Sequence, residues 1–235
     1  MNRPVFVNSI PKSGTYLLAA ILEELGLDST HWHVFETFYD DYTDVPLEIA
    51  RVHPERFRIR EPVERTANRL RPGQFAVGHL PYNDRTRQAL RNCFVIFLKR
   101  DLRECLVSHM RWQAATGRDQ SAWTRIEDPQ QRVLAYLSKW GRSFIRRARS
   151  ITEWAGCADR VLTFDDLHNR LAIEQLAASL DAVFDARAIR RALNAPSLTR
   201  LPFVTQEAVW SKEADRRLVA FMPSVDGTIP RRPRE

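Results

Sequence analysis

Apolar and polar positions form two patterns along this chain: short, predominantly apolar runs and longer stretches with helical spacing. The runs at residues 5–7, 74–79, 93–98 and 160–164 are typical of strands buried on both faces, as in a parallel sheet. The longer stretches repeat their apolar residues with a helical period, which indicates amphipathic helices. A first helix is predicted to end near Gly26, and further helices are predicted at about residues 83–91, 103–116, 129–154, 171–180, 186–193 and 212–221.

Strands that alternate with helices, without an internal repeat, indicate a single α/β domain. We expect three layers: a doubly wound, mostly parallel central sheet with flanking helices. The domain is predicted to span residues 1–222, with a loop near residues 196–206 and a C-terminal tail at residues 223–235. In such sheets ligands bind at the carboxyl ends of the strands. The residues that follow the apolar runs are therefore the candidates for function.

The aromatic segment at residues 30–46 has neither a clean helical period nor a clean strand period, and we predict irregular structure or short helices there. Such segments beside a catalytic loop often line pockets, but a packed surface loop explains the composition equally well. His31 and His33 have the spacing of a metal-binding pair, yet no third ligand is placed, so no metal site is predicted. Residues 51–72 mix arginine with glutamate, which is typical of a solvated, ion-paired face.

Basic residues outnumber acidic ones, which gives a formal charge of +7 and a sequence pI near 9.8. Because acidic residues are interleaved almost everywhere, we favour a solvated basic surface or the steering of an anionic ligand over nucleic-acid binding. No apolar run approaches the roughly 20 residues that span a bilayer. Scattered cysteines and an N-terminus without a signal-peptide pattern favour a cytoplasmic location. Cys93 and Cys105 are expected in the core.

The sequence Pro11-Lys12-Ser13-Gly14-Thr15 separates the first predicted strand from the first helix. Such a loop directs backbone N–H groups, the helix dipole and one lysine at a single point, which favours an anion. It matches an ATP-hydrolysing P-loop poorly, because Pro11 occupies the usual place of a glycine. No strand ends in a convincing ligand for Mg²⁺, since Asp101 is flanked by Arg100 and Arg103. We therefore expect a metal-free phosphate site that side-chain cations neutralise.

Lys12, His79 and Arg100 each lie just past the carboxyl end of a predicted strand, so all three can meet at one rim of the sheet. Each also has a simpler interpretation. The lysine can be an exposed loop residue, the histidine a satisfied residue at a strand end, and the arginine the partner of a nearby aspartate.

These motifs resemble those of the sulfotransferases that use 3′-phosphoadenosine 5′-phosphosulfate (PAPS). The PKSGT loop after a first strand is similar to their 5′-phosphosulfate loop, and Arg100 with Ser108 is similar to the pair that holds the 3′-phosphate. Gly78-His79-Leu80-Pro81 resembles the family's histidine segment, and residues 161–167 resemble its V-x-x-Y-E-D-L turn. The resemblance covers residues 5 to about 167 and implies a P-loop-like α/β fold.

The resemblance implies metal-independent transfer of a sulfuryl group from PAPS to an acceptor hydroxyl, with the 3′,5′-bisphosphate PAP as product. Alignment and charge stabilisation dominate this kind of transfer. Lys12 would stabilise the leaving 5′-phosphate, and His79, with an ordinary histidine pKa of about 6.5, would act as the general base. The implied cofactor-binding residues are Lys12, Ser13, Gly14, Thr15, Tyr16, Arg100 and Ser108.

The sequence departs from the family pattern at Phe164, where a tyrosine is usual, and at Val77, where many members have a lysine. The segment that usually closes over the 3′-phosphate is not evident, and its region offers only the cations Lys212, Arg216 and Arg217. Two alternatives stay open: a P-loop phosphotransferase, or a catalytically silent nucleotide-binding protein. The acceptor, a hydroxyl of a small molecule, a sugar or a carrier-tethered metabolite, is not identified. The oligomeric state is open as well, with a homodimer among the options.

Overall fold

The computed structural model describes residues 2–46, 49–50, 53–117, 119, 121–194 and 209–222. The strands in these ranges form one seven-stranded sheet. They are β1 (Val5–Ser9), β2 (Asp28–Val34), β3 (Tyr39–Asp41), β4 (Arg58–Ile59), β5 (Gln74–Gly78), β6 (Phe94–Lys99) and β7 (Arg160–Thr163). Their order across the sheet is β4-β3-β2-β5-β1-β6-β7.

The strands β2, β5, β1, β6 and β7 pair in parallel, and β3 and β4 add an antiparallel edge. β1 lies inside the sheet, with Val5 opposite both Phe75 of β5 and Phe94 of β6. Every residue of β1 is buried, which explains its apolar run. The prediction of a doubly wound, mostly parallel α/β sheet is confirmed.

Helices cover both faces of the sheet and complete the three predicted layers. They are α1 (Thr15–Glu24), α2 (Val63–Arg69), α3 (Asp84–Ala89), α4 (Leu102–Ala115), α5 (Pro129–Tyr136), α6 (Arg142–Thr152), α7 (Arg170–Ser179), α8 (Ala186–Asn194) and α9 (Lys212–Phe221). On one face α1, α7 and α8 share a core with Val5 and Val7, and on the other α4, α5, α6 and α9 share a core with Phe6. Neighbouring residues of β1 thus enter different cores, as the period of a strand requires.

Asp101 begins α4 as its N-terminal cap. The carboxylate accepts hydrogen bonds from the backbone N–H groups of Arg103 at 2.9 Å and Glu104 at 3.2 Å. A cap of this kind stabilises a helix by satisfying N–H groups that have no partner within it. The residue weighed from the sequence as a ligand for Mg²⁺ therefore serves to start a helix.

The amphipathic stretch predicted at residues 129–154 is two helices, α5 and α6, joined by a π-helical turn at Leu137–Gly141. A Cβ atom at Gly141 would lie 2.7 Å from the ring of Phe221, so glycine permits the close approach of α9. Turns of this kind are frequent at functional sites. Here Trp140 of the turn and Arg147 of α6 both line the pocket at the carboxyl edge of the sheet.

The prediction of irregular structure or short helices at residues 30–46 is wrong for residues 30–34 and 39–41, because β2 and β3 form an antiparallel hairpin there. His31 has a left-handed backbone with φ of 55°. The pairing of β2 with β5 shifts register between Ser29 and His33. Such a bulge interrupts the alternation of side chains between the two faces, so the strand leaves no two-residue period in the sequence.

The described part of residues 51–72 contains ion pairs, as predicted, but it also contains β4 and α2. Arg58 Nε lies 3.0 Å from Asp40 Oδ1, and Arg69 Nη1 lies 3.2 Å from Glu61 Oε2. The Asp40 side chain is buried, so its ion pair with Arg58 joins β3 to β4 at the edge of the sheet. This pair is not part of the solvated face that the sequence predicted.

Cys93 and Cys105 are buried as predicted, and both are free thiols, as is the exposed Cys157. Across the described ranges, no helix combines the length and the apolar character needed to cross a membrane. The predicted loop at residues 196–206 and the predicted tail at residues 223–235 lie outside the described residues. The domain boundary at residue 222 stays a prediction.

Candidate active site

A pocket of about 840 Å³ opens where β1, β5 and β6 end. It brings together Lys12, Gly14, Thr15, Tyr16, His79, Arg100 and Ser108, which the sequence had placed at one rim or assigned to the cofactor. Ser13 belongs to the same predicted set but does not line the pocket.

Ser13 stabilises the loop through hydrogen bonds to backbone carbonyls. Its hydroxyl is buried and donates to the carbonyl oxygens of Ile10 at 2.7 Å and Leu98 at 3.3 Å. Its backbone N–H donates to the Ile10 carbonyl at 3.2 Å. Both donors of Ser13 therefore have partners within the protein, and its contact with a cofactor stays a prediction. Ser13 ties the loop to the end of β6.

Gly14 and Thr15 form the junction between the loop and α1. Glycine is required at position 14, because φ is 103° and a Cβ atom would lie 2.7 Å from the Phe164 ring. Thr15 begins α1, and its Oγ1 lies 2.7 Å from Ser9 Oγ. The first turn of α1 contains no acidic residue. The N–H groups of that turn and the helix dipole therefore remain available to an anion in the pocket.

Lys12 places a buried amine in this pocket. Its Nζ atom has no hydrogen-bond partner among the described residues and lies 4.9 Å from the centre of the Trp112 ring. Burial lowers the pKa of Lys12 to about 7. The backbone is left-handed, with φ of 69°, a conformation that a lysine rarely adopts. A buried amine without a carboxylate partner is the expected counterpart of an anionic ligand.

His79 is held in one tautomer by the end of β1. Its Nδ1 lies 2.7 Å from the carbonyl oxygen of Ser9 and 3.2 Å from Ser9 Oγ. A carbonyl oxygen can only accept, so Nδ1 carries the proton and Nε2 keeps its lone pair. Burial, followed by the neighbouring His33 and Arg147, holds the pKa of His79 well below its usual value. The ring is therefore neutral and able to accept a proton at Nε2.

His33 lies beside His79, a position that the sequence did not predict. The two ring centres are 4.7 Å apart. His33 Nδ1 lies 2.6 Å from the hydroxyl of Tyr16, and its Nε2 is buried without a hydrogen-bond partner in the described chain. Burial and the charge of Arg147 lower the pKa of His33 to about 3. Within the described ranges, no cluster that includes His31 or His33 has the composition of a metal site.

The hairpin of β2 and β3 lines the pocket next to these histidines. The rings of Phe35 and Phe38 are stacked with centres 4.4 Å apart, and Phe35 is also stacked on His33 at 4.9 Å. The guanidinium of Arg58 lies 3.9 Å from the centre of Phe38. Of the two interpretations that the sequence left open for this aromatic segment, pocket lining is the one that the structure supports.

Arg100 and Ser108 line another part of the pocket. Arg100 lies just before α4, and Ser108 lies within that helix. The Arg100 guanidinium lies 3.9 Å from the centre of the Phe164 ring, and its Nε donates to Glu104 Oε2 at 2.6 Å. The same Phe164 ring packs against Gly14. Phe164, which replaces a tyrosine of the family pattern, thus packs beside both the arginine and the loop.

A second pocket of about 880 Å³ adjoins the first at Arg100 and Ser108. Arg103, Arg111 and Lys212 add three cations to its lining, of which Arg103 is paired with Asp215 at 3.0 Å. The Nε atom of Arg111 is buried and has no hydrogen-bond partner among the described residues. Sequence reasoning missed Arg111, although it lies one helical turn after Ser108 and therefore on the same face of α4.

The C-terminal cations considered from the sequence have different positions. Lys212 is exposed and lines the second pocket. Arg216 and Arg217 instead form ion pairs with Glu213, at 2.9 Å and 3.2 Å. Of these three residues, only Lys212 lines a pocket that Arg100 and Ser108 also line.

Solved structures with the same fold include sulfotransferases. The structure of mouse sulfotransferase SULT7A1 complexed with PAP shares 17% identity with this chain, covers 81% of it and has a TM-score of 0.51. A retinol dehydratase in complex with androsterone and inactive cofactor PAP also shares 17% identity and covers 81%, with a TM-score of 0.46. The chain spans 64% and 63% of the lengths of these two proteins. At this identity the likeness to SULT7A1 concerns the fold alone, and nothing is concluded from the second structure.

The sequence itself identifies the family. No curated protein sequence matches the chain significantly. Residues 2–174, however, match the family described as the sulfotransferase domain. This match covers more than half of the 235 residues and includes the loop, His79, Arg100 and Ser108. The chain belongs to the sulfotransferase family.

Proposed function

We propose that this protein is a PAPS-dependent sulfotransferase that transfers a sulfuryl group to the hydroxyl of a small-molecule or carbohydrate acceptor. The observation that carries the proposal is the buried amine of Lys12, which has no hydrogen-bond partner in the described chain. It shares one pocket with His79, Arg100 and Ser108, at the edge where a doubly wound sheet binds ligands. An anionic ligand that binds in each turnover would explain why this amine is kept there unpaired.

His79 acts in this proposal as the general base. Its Nε2 takes the proton of the acceptor hydroxyl as that oxygen forms a bond to sulfur. The bond between sulfur and the oxygen of the 5′-phosphate breaks in the same displacement, and PAP leaves with the bonding electrons. The tautomer fixed by the Ser9 carbonyl and the depressed pKa keep Nε2 unprotonated near neutral pH. This arrangement supports proton acceptance at a defined atom.

Lys12 and the first turn of α1 stabilise the charge that develops on the leaving 5′-phosphate. Lys12 approaches from the loop, and the backbone N–H groups of the helix end add partial positive charge. We assign the direct backbone contacts to Gly14, Thr15 and Tyr16 rather than to Ser13, because the Ser13 N–H donates to Ile10.

Arg100 and Ser108 hold the 3′-phosphate in this proposal, with Arg111 and Lys212 as additional cations. The buried Nε of Arg111 and the position of Lys212 in the adjoining pocket support this extension. These two residues would supply the charge that the family's closing segment, which is not evident in the sequence, normally provides. Binding energy from this remote phosphate would align the reacting end of PAPS with His79.

The phosphotransferase alternative loses its one candidate metal ligand, because Asp101 caps α4. The silent nucleotide-binding alternative is decided by experiment. A cytoplasmic location and a homodimer stay predictions.

The test separates binding from turnover. His79→Ala should abolish the transfer of radiolabelled sulfuryl from PAPS to an acceptor panel, while PAP binding measured by calorimetry changes little. His53→Ala, a histidine outside this pocket, is the matched control and should leave both measurements unchanged. Tight PAP binding by the unaltered protein without transfer to any acceptor would favour the silent protein and contradict the proposal. Unchanged transfer by His79→Ala would overturn the assignment of the base.

A further inference from the structure

Arg147 of α6 is a cation in the pocket to which the proposed function assigns no contact with PAPS or the acceptor. Four cationic side chains of the described chain line this pocket: Lys12, Arg58, Arg100 and Arg147. Arg58 is paired with Asp40 and Arg100 with Glu104. Lys12 is assigned to the leaving phosphate. Arg147 alone has neither a carboxylate partner among the described residues nor a role in binding PAPS.

Arg147 lies at the aromatic shelf, the surface that His33, Phe35 and Phe38 form on the β2–β3 hairpin. Its guanidinium carbon is 5.5 Å from the centre of the Phe35 ring. Phe35 is stacked on His33 at 4.9 Å, and His33 is 4.7 Å from His79. The aromatic shelf therefore lies between Arg147 and His79, the proposed base. The charge of Arg147 is close enough to lower the pKa values of His33 and His79.

The charge around the shelf is unbalanced. Asp40 is the only acidic residue among the described residues that line the pocket, and Arg58 neutralises it. Arg147 thus leaves a net positive charge next to flat apolar surface. A planar guanidinium presents paired donors whose spacing matches the two oxygens of a carboxylate.

We infer that the acceptor is a flat, aromatic hydroxyl compound that carries a carboxylate, with its hydroxyl at His79 and its carboxylate at Arg147. The inference rests on the proposed function, since it names the substrate class of that same site. The stacked rings of Phe35 and Phe38 would hold the apolar body. The unpaired guanidinium would select the charge, because a neutral or cationic analogue leaves it without a partner.

Three phenols with the same ring test this selection. 4-Hydroxyphenylacetate carries the negative charge, 4-ethylphenol is neutral and tyramine carries a positive charge. With PAPS as donor, kcat/KM should fall in that order. Arg147→Gln should lower kcat/KM for 4-hydroxyphenylacetate about tenfold and change the value for 4-ethylphenol less than about twofold. Arg147→Glu should move the preference toward tyramine.

Arg146→Gln is the matched control, because it removes the same charge from the neighbouring exposed position of α6 and lies outside the pocket. It should leave the ranking of the three phenols unchanged. Calorimetric binding of each phenol to the PAP-loaded protein gives a second measurement that does not require turnover. PAP binding itself should be the same in all variants.

The outcomes are distinct. Equal kcat/KM values for the three phenols, or an equal loss for all three in Arg147→Gln, would overturn the inference and leave the sulfotransferase proposal standing. Selective binding of 4-hydroxyphenylacetate that depends on Arg147, but without transfer to any phenol, would support the charge selection and contradict the proposed function. An unchanged preference for 4-hydroxyphenylacetate in Arg147→Gln would assign the selection to another residue and overturn the inference.

Discussion

The buried amine of Lys12 leads us to predict that Lys12→Met will stabilise the protein and disable it. The pKa of an ordinary lysine is 10.5, and burial lowers that of Lys12 to about 7. Each pKa unit corresponds to about 1.4 kcal/mol, so charging this amine in the folded protein costs at most about 5 kcal/mol. Water in an open pocket reduces this value, and we expect Lys12→Met to raise the free energy of unfolding by about 1–2 kcal/mol.

The pH dependence of this effect follows from the direction of the pKa shift. Below pH 7 the amine is protonated in both the folded and the unfolded protein, so the folded state bears the whole cost. Between pH 7 and pH 10.5 the folded protein releases its proton first, and the cost declines. The stabilisation by Lys12→Met is therefore expected in full at about pH 6 and should shrink as the pH rises toward 10.5.

Urea unfolding of the nucleotide-free protein at several pH values measures this effect. Lys99→Met, which alters an exposed lysine at the end of β6, is the control and should be close to neutral. Calorimetry should show PAP binding weakened roughly 100-fold in Lys12→Met, because a charge-assisted contact is lost. If Lys12→Met is less stable than the unaltered protein at about pH 6 while Lys99→Met is neutral, the reasoning from burial is refuted.

Three further predictions concern Gly14, His79 and Asp119. Gly14→Ala should lower the free energy of unfolding by roughly 1–3 kcal/mol in urea, because φ is 103° and a Cβ atom would meet the Phe164 ring; a neutral effect would contradict the strain. Since burial holds the pKa of His79 well below its usual value, turnover at saturating PAPS should not decline between about pH 8 and pH 6.5. A decline centred near 6.5 would indicate an ordinary histidine instead. Asp119→Asn should destabilise the protein by roughly 3 kcal/mol or more in thermal or urea unfolding. Burial alone would raise the pKa of Asp119, but hydrogen bonds from Lys139, Ser121, Trp123 and Trp140 hold it well below its usual range. The hydrogen bond from Trp140 Nε1 is 2.6 Å long. A loss below about 1 kcal/mol would show that this network is dispensable.

The part of the site that follows strand ends could be predicted from the sequence. β1, β5 and β6 are buried on both faces, so each leaves an apolar run, and Lys12, His79 and Arg100 come shortly after them. Parallel strands bring their carboxyl ends to one edge. Three positions distant in the sequence therefore pointed to one pocket without any knowledge of tertiary contacts.

Side chains that reach the site through packing were not predictable in the same way. Arg147 lies on a helix far from the loop in sequence and meets Phe35 only when α6 packs beside the hairpin. His33 lies on a strand whose bulge conceals its period. Ser13 belongs to the motif itself, but nothing in the motif reveals that its hydroxyl and N–H bond to backbone carbonyls.

The π-helical turn between α5 and α6 makes chain length a determinant of the pocket. An α-helix advances about 100° around its axis per residue, so one residue more or fewer in this turn would rotate all of α6 by that angle. A single deletion within Leu137–Gly141 would turn Arg147 away from Phe35 and carry exposed arginines such as Arg146 toward the core. The rotation of α6 about its axis thus governs which side chain faces the aromatic shelf, so an insertion or deletion in this turn would remove Arg147 from the shelf without any substitution in the pocket.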